Sequence, residues 1–275
     1  MRDLRIAAAM MRCPVGDKQG NLERSRALAA RAAVRGAELL VLPEACLSGY
    51  TVRESMAHLA EPVPGPLTRA VAETAAEHGL SILAGLVEAG PDGARYLTQV
   101  LVSPQGLVGL HRKTHLGPME SNRFEKGNRL SVVDLDGVRY GLQLCYEGHF
   151  PEMTQAQALA GADVVLIPHA SPREDPPEKL ERWLRYLPAR AYDNTVFLAA
   201  CNQVGDNGRG LSFAGVALIL GPKGEVLAQA AGDEDDLVVA DLEAERIETI
   251  REGRMGWFLP LRRPEIYAGP TDEED

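Results

Sequence analysis

Cys145 lies in the stretch GLQLCYEGHFPE (residues 141–152), where an apolar strand should end and a helix should begin. A thiol at the carboxyl edge of a sheet points into the crevice where α/β folds bind their ligands. The N–H groups of the turn that follows would be directed at this thiol, an environment that lowers a thiol pKa and suits a nucleophile. Free cysteine is also among the residues most often buried, so a small core residue is the alternative interpretation.

Three other reactive side chains follow predicted strands. Glu44 lies in LPEACLSGY, His169 lies in LIPHASP, and Lys113 follows a hairpin strand in HRKTHLGPMESNRFEKGN. Taken singly, Glu44 could be an ion-pair partner at a helix edge and Lys113 a solvated cation. Together with Cys145 they supply a base, a fixed cation and a thiol. These are the groups that thiol-based acyl transfer needs.

The histidines and the remaining cysteines point to no metal site. His111 and His115 have the spacing of a metal pair on a helix, but their segment is predicted to be strand and loop, and no third ligand is evident. We therefore expect no metal and no other cofactor. Cys13, Cys46 and Cys201 are widely spaced in apolar surroundings and are predicted to be inert core thiols, which favours a reduced, cytoplasmic protein.

The composition is that of an ordinary globular protein. The 275 residues are 45% hydrophobic and 25% charged, with a formal net charge of -10 that argues against nucleic acid as a partner. The amino terminus has too short an apolar run for a signal peptide, and no apolar run is long enough to span a membrane. We predict a single domain over residues 1–268 and an acidic tail over 269–275.

Strand and helix patterns alternate along the chain, which predicts helices covering the faces of sheets. The predicted strands are residues 5–11, 38–44, 80–88, 162–168 and 195–201, and the predicted helices are 21–37, 66–78, 151–160 and 178–193. Asn21 is a candidate N-cap and Gly36 a candidate stop for the first helix. Three pairs of strands around glycine-containing turns predict hairpins, and therefore mixed rather than purely parallel sheets.

Three motifs resemble those of the nitrilase, or carbon-nitrogen hydrolase, superfamily, and they occur in that family's order. They are Pro43-Glu44 after a hydrophobic strand, RKTHL at residues 112–116, and CYE at 145–147 followed by FPE at 150–152. The stretches GADVVLIP, ARAYDNTVFLAACNQVG, GPKGEVL and RRPEIY also match, so that the resemblance runs from about Arg5 to Tyr267. It implies an α/β fold of four layers, an α-β-β-α sandwich with two mixed sheets, and a homodimer or a higher homo-oligomer.

The resemblance also implies a mechanism. Glu44 would take the thiol proton while Cys145 attacks the amide carbon, and Lys113 with the backbone N–H of Tyr146 would hold the oxyanion. Glu44 would then protonate the leaving amine and activate the water that hydrolyses the thioester. Glu120, which precedes Phe-x-x-Gly, matches a further family glutamate that positions the substrate and the other site groups.

Two more residues are expected to support the site. Glu147 completes the Cys-Tyr-Glu motif. His169 departs from the small residue or threonine often found at this strand end in the family, and with Arg173 nearby it could hydrogen-bond a polar or carboxylate-bearing substrate.

The expected reaction is hydrolysis of a non-peptide carbon–nitrogen bond in a small polar amide or N-carbamoyl amine through a cysteine thioester, with release of ammonia or amine. Within the family, the alternatives are a true nitrilase and a glutaminase-type or omega-amidase activity. A metal-dependent hydrolase that uses the histidines and a non-catalytic binding module are alternatives from other classes. The expected partner is the small-molecule substrate, with neither nucleic acid nor a membrane.

Overall fold

Two six-stranded sheets form the centre of the fold in the computed structural model, which describes residues 1–253 and 255–267. In chain order the first sheet contains β1 (Leu4–Met10), β2 (Leu39–Val41), β3 (Ser81–Ala89), β4 (Arg95–Ser103), β5 (Gly106–Arg112) and β14 (Asp236–Leu242). The second contains β6 (Ser131–Leu135), β7 (Val138–Leu142), β8 (Val164–His169), β9 (Phe197–Asn202), β12 (Gly215–Leu220) and β13 (Val226–Gly232). A short pair, β10 (Gly205–Asp206) and β11 (Ser212–Phe213), lies beside them.

Both sheets are mixed. The spatial orders are β14-β1-β2-β3-β4-β5 and β13-β12-β9-β8-β7-β6. The strands β1, β2 and β3 run parallel, as do β7, β8 and β9, and the flanking pairs are antiparallel. The three predicted hairpins, β4–β5, β6–β7 and β12–β13, are confirmed.

Within the described residues, six α-helices accompany the sheets: α1 (Lys18–Val34), α2 (Pro66–His78), α3 (Pro151–Leu159), α4 (Pro176–Leu184), α5 (Leu187–Asn194) and α6 (Ala244–Glu252). Alternation along β1 shows the layering, because Ile6 belongs to the core between the sheets whereas Ala7 belongs to the core under α1 and α2. In the second sheet, Leu166 of β8 faces the other sheet and Ile167 faces α4 and α5. The predicted four-layer α-β-β-α sandwich is confirmed.

The first helix begins earlier than predicted. Asp17, and not Asn21, caps it, since its carboxylate accepts the Gly20 N–H at 3.1 Å. Asn21 is instead buried inside the first turn, where its amide donates to the carbonyls of Pro14 and Leu47. Its side chain therefore ties α1 to the loop that follows β2.

The predicted helix 178–193 is two helices. The chain breaks between Leu184 and Leu187 because Pro188 has no N–H to donate and its ring would clash with the carbonyl four residues earlier. The predicted strand 38–44 is also shorter, since β2 ends at Val41 ahead of Pro43.

The sequence reading missed β14 and α6. β14 begins at the last residue of the acidic run 233–236 and forms an edge of the first sheet by pairing with β1. Two donors stabilise the acidic start of this edge: the Arg31 side chain forms an ion pair with Asp236, and the backbone N–H of Arg12 donates to the Asp235 carboxylate. The predicted acidic tail, residues 269–275, lies outside the described residues. Of the helices in the described part of the chain, none is long and apolar enough to cross a bilayer.

Candidate active site

Lys113 holds two carboxylates together in the interior. Its ammonium donates to Glu44 Oε1 at 2.8 Å and to Glu120 Oε1 at 2.7 Å, and the three side chains are each almost completely buried. The second oxygen of Glu44 accepts the backbone N–H of Ala170 at 2.9 Å. Residues from three loops, separated by up to 126 positions in sequence, thus meet at one point.

The chain places Glu44 by a tight turn after β2. Ala45 has a φ of 51°, a left-handed conformation that is uncommon for a residue with a side chain. The turn packs against β3 so closely that a Cβ on Gly85 would lie 2.3 Å from the Ala45 nitrogen, which requires glycine there. The Gln203 amide donates to the Glu44 carbonyl at 2.8 Å and holds the turn from the second sheet.

Lys113 follows β5 directly, and its backbone is held on both sides. Its N–H donates to the Leu97 carbonyl at 2.8 Å, and its carbonyl accepts the Gly127 N–H at 2.8 Å. A Cβ on Gly127 would lie 2.2 Å from the Arg112 carbonyl oxygen. The loop that carries Glu120 therefore returns to the strand end only because residue 127 is glycine.

Cys145 begins a 3₁₀ turn, Cys145–His149, three residues after β7 ends. Its φ of 46° is the same uncommon left-handed conformation that occurs beside Glu44. The residue is half-buried. The Ala170 N–H that binds Glu44 is also near enough to the thiol to favour its ionised form. The structure thus brings Cys145 to the Glu44–Lys113 pair.

The prediction that the thiol pKa is lowered is wrong. Burial and the nearby charge of Glu44 raise the pKa of Cys145 to about 12, against the opposing effect of Lys113. The turn at Cys145 has only five residues, so a long helix dipole is not available to stabilise a thiolate. Cys145 is accordingly a thiol at neutral pH, so it could act as a nucleophile only with a base that takes its proton.

Glu44 and Lys113 carry opposite charges beside this thiol at neutral pH. Burial, opposed by Lys113, raises the pKa of Glu44 to about 6, which leaves it ionised at neutral pH and able to accept a proton. Burial opposes the charge of Lys113, but Glu44 and Glu120 outweigh it and raise the lysine pKa well above its ordinary value. Lys113 is therefore a permanent cation and not a base.

Glu120 has partners besides Lys113. The buried Tyr50 hydroxyl donates to its Oε1 at 2.9 Å, and the Gly117 N–H donates to its Oε2 at 2.7 Å. Burial raises the pKa of Tyr50 well above its ordinary value, which keeps the hydroxyl proton in place as a donor. Tyr50 was not predicted from the sequence to belong to the site. It stands six residues after Glu44 in the same motif, and a tyrosine hydroxyl in an apolar loop was the feature that could have indicated it.

The other predicted residues lie around this cluster in different settings. Tyr146 is 37% exposed, and its ring packs edge-to-face with the rings of His149 and Phe150. His169 is buried, and its ring lies 4.3 Å from that of Trp183. Burial lowers the pKa of His169 well below its ordinary value, so the ring is neutral. Its role in holding substrate stays a prediction.

Glu147 belongs to the Cys145–His149 turn and is fully buried, and backbone and side-chain donors surround its carboxylate. His111, whose pairing with His115 suggested a metal site, donates to Glu147 at 2.8 Å. His115 stacks on Phe150. Within residues 1–253 and 255–267, no group of three or more histidine, cysteine, aspartate or glutamate side chains has a metal-binding arrangement.

The three remaining cysteines are confirmed as core residues. Cys13 and Cys46 lie in the core under α1 and α2, and Cys201 lies between the two sheets. Burial raises the pKa of each, so none is a competing nucleophile at neutral pH.

Known proteins resemble this chain in both sequence and fold. The family model described as Carbon-nitrogen hydrolase matches residues 5–252. An (R)-stereoselective amidase of Pseudomonas sp. is 36% identical over 94% of this chain and 92% of its own length. A nitrilase of Pyrococcus abyssi is 32% identical over 96% of this chain and 99% of its own length.

A solved structure adds chemical information. A mutant of the amidase from Nesterenkonia sp. AN1 matches with a TM-score of 0.81 at 29% identity, over 98% of this chain and 97% of that one. That structure shows covalent addition of the acetamide moiety of fluoroacetamide at the active site cysteine. With a family model that spans most of its length and relatives that match almost end to end, the chain belongs to the carbon–nitrogen hydrolase family.

Proposed function

We propose that this carbon–nitrogen hydrolase cleaves small polar amides or N-carbamoyl amines through a thioester on Cys145. The observation that carries the proposal is the Lys113 ammonium held between Glu44 and Glu120 beside the Cys145 turn. This arrangement places a base, a cation and a nucleophile together without a histidine, unlike the Cys-His pair of papain-like enzymes.

Acylation begins with proton transfer. Because Cys145 is a thiol and Glu44 a carboxylate at neutral pH, the thiol proton moves to Glu44 as the sulfur bonds to the amide carbon. The carbonyl π electrons move to oxygen and form a tetrahedral oxyanion. Lys113 and the Tyr146 N–H stabilise this oxyanion, and a donor of this kind is worth about 2.7–4 kcal/mol of barrier.

The intermediate then breaks its carbon–nitrogen bond. Glu44 returns the proton to the departing nitrogen, ammonia or an amine leaves, and the acyl group remains on sulfur as a thioester. A water molecule gives a proton to Glu44 and attacks the thioester carbon. The acid departs, and the proton on Glu44 returns to the sulfur. Glu120 keeps Lys113 in place throughout, and Tyr50 orients Glu120.

The small-molecule substrate is the partner that this site requires. The curated relatives include an amidase and a nitrilase, so ammonia release from amides, N-carbamoyl amines and nitriles of the same carbon skeleton identifies the bond that is cleaved. We further propose that the protein is cytoplasmic and forms a homodimer or larger homo-oligomer; light scattering of the purified protein tests the oligomeric state.

Glu44→Gln tests the role of the base. Glutamine matches the glutamate in size but cannot accept the thiol or water proton, so we expect kcat to fall by about 10²–10⁴-fold. Thioester that does form is not hydrolysed, and intact-mass spectrometry should show the acyl group on Cys145. Adding Cys145→Ala to this variant should remove the mass increase. Full turnover by Glu44→Gln, or an adduct that survives the second substitution, contradicts the assignment.

The activity should have an acid limb near the pKa of Glu44. This pKa is raised to about 6 by burial, so protonation below pH 6 removes the base and kcat/KM should fall about tenfold per pH unit there. The measurement is kcat/KM from pH 5 to pH 8 with an uncharged amide, whose own ionisation is constant over this range. A profile that stays level down to pH 5 argues against Glu44 as the base.

A further inference from the structure

Glu147 joins the two segments that carry Lys113 and Cys145. Its carboxylate is completely buried and accepts five hydrogen bonds, all from residues near one of those two side chains. Burial disfavours a charge there, but His111 and the Thr114 donors outweigh it and lower the pKa of Glu147 below its ordinary value. The buried group is therefore a carboxylate at neutral pH, with every partner a donor.

Oε1 contacts only residues that follow Lys113, whereas Oε2 contacts the residue before Cys145 and also His111, which precedes Lys113. Oε1 accepts the Thr114 N–H at 2.6 Å, the Thr114 hydroxyl, and the His115 N–H at 3.4 Å, which places it on the residues directly after Lys113. Oε2 accepts the Leu144 N–H at 2.6 Å, directly before Cys145. One rigid planar group thus spans the gap between the cation and the nucleophile.

His111 extends this connection to the sheets. It lies on β5, two residues before Lys113, and donates from Nε2 to Glu147 Oε2 at 2.8 Å. Its Nδ1 lies 3.1 Å from the hydroxyl of Ser131 on β6. Because β5 is an edge strand of the first sheet and β6 an edge strand of the second, the hydrogen bonds Ser131–His111–Glu147 link the two sheets.

We propose that Glu147 is a positioning residue that sets the separation of the Lys113 ammonium and the Cys145 thiol, with His111 as its anchor. The proposal rests on the proposed function, because this separation matters only if Lys113 binds the oxyanion that Cys145 creates. A misplacement of about 1 Å in such a site can cost about 10²-fold in rate. Glu147 itself touches neither side chain and accepts no proton in the reaction.

Glu147→Gln is the direct test, with Glu152→Gln as the matched control. A glutamine offers one carbonyl oxygen and one NH2 group. The donors that now bind one of the two carboxylate oxygens would therefore face the NH2 group, which is itself a donor. We expect kcat to fall by about 10²-fold with KM within about threefold of the wild-type value, since the substrate contacts are left in place. Glu152 is an exposed glutamate five residues further along the chain, and its replacement should leave both constants unchanged.

The pH profile separates positioning from a loss of folded protein. The groups that face Glu44 are Lys113, Glu120, the Cys145 thiol and the Ala170 N–H. If Lys113 moves away from Glu44, the lowering effect of the ammonium is lost and the acid limb of kcat/KM should move to a pH above 6. A smaller folded fraction lowers the amplitude of the profile and leaves its midpoint unchanged.

His111→Gln provides a second variant if Glu147→Gln does not fold. It removes the anchor and leaves the bonds of Glu147 to Thr114 and Leu144, so the same changes in kcat and in the acid limb should occur at smaller size. Unchanged kcat and an unmoved limb in a folded variant overturn the proposal. Wild-type activity in Glu44→Gln and Cys145→Ala overturns the proposed function instead, so the two failures are distinguishable.

Discussion

Cys145→Ala should abolish turnover without unfolding the protein. Removing the nucleophile of an acyl-transfer enzyme costs about 10⁴-fold or more in kcat, because no other group can form the covalent intermediate. Alanine suits the backbone at this position, since Ala45 adopts nearly the same left-handed φ, 51° against 46°. We therefore expect a folded variant that still binds the amide.

Three measurements on Cys145→Ala test whether turnover is lost while folding and substrate binding are kept. They are ammonia release, thermal unfolding, and substrate binding by calorimetry. Cys201→Ala is the control for loss of a thiol, because Cys201 is buried in the core between the sheets, where its thiol lies against the Val41 carbonyl, and it should retain turnover. Residual hydrolysis by folded Cys145→Ala at more than a few per cent of the wild-type rate would falsify the thioester route.

Lys113→Met should cause the second largest loss. The substitution keeps a long apolar side chain but removes the oxyanion donor, and such a donor contributes about 10²–10³-fold to kcat. It also removes the cation between Glu44 and Glu120. Two buried carboxylates without a cation cannot both stay ionised, so one of them takes up a proton and the pair titrates at higher pH.

The Lys113→Met variant thus has two expected signatures. kcat/KM falls at every pH, and the acid limb moves from near 6 to higher pH, because the lysine that lowers the pKa of Glu44 is gone. Lys126→Met, at an exposed position of the same loop, should change neither quantity. An acid limb that stays near 6 in Lys113→Met shows that the lysine does not act on the base.

The predictions of helices and strands were correct where the local sequence pattern was strong. The helix Pro66–His78 has the predicted bounds, since a proline at its start and Gly79 at its end mark both termini. The helix 178–193 failed because its apolar periodicity continues through Pro188, whereas the backbone cannot. β14 was missed because its place depends on pairing with β1, more than 220 residues earlier in the chain.

The same contrast holds for the site. Glu44, Lys113 and Cys145 stand at strand ends within motifs, so their types and order could be recognised in the sequence. Tyr50 and the Ala170 N–H could not be assigned in this way, because their relevance comes only from contact with Glu120 and Glu44 in the folded chain.

By itself, then, the sequence determined an α/β fold with mixed sheets, because the periods of helices and strands are local properties. The kind of chemistry and the four-layer sandwich followed from the resemblance of its motifs to those of the carbon–nitrogen hydrolase family. Tertiary structure decided that Lys113 bridges two carboxylates, that Cys145 is a thiol and not a thiolate, and that Glu147 joins their segments. The physical reason is that the pKa values depend on burial and on charges brought together from distant segments. Neither quantity exists before the two sheets pack.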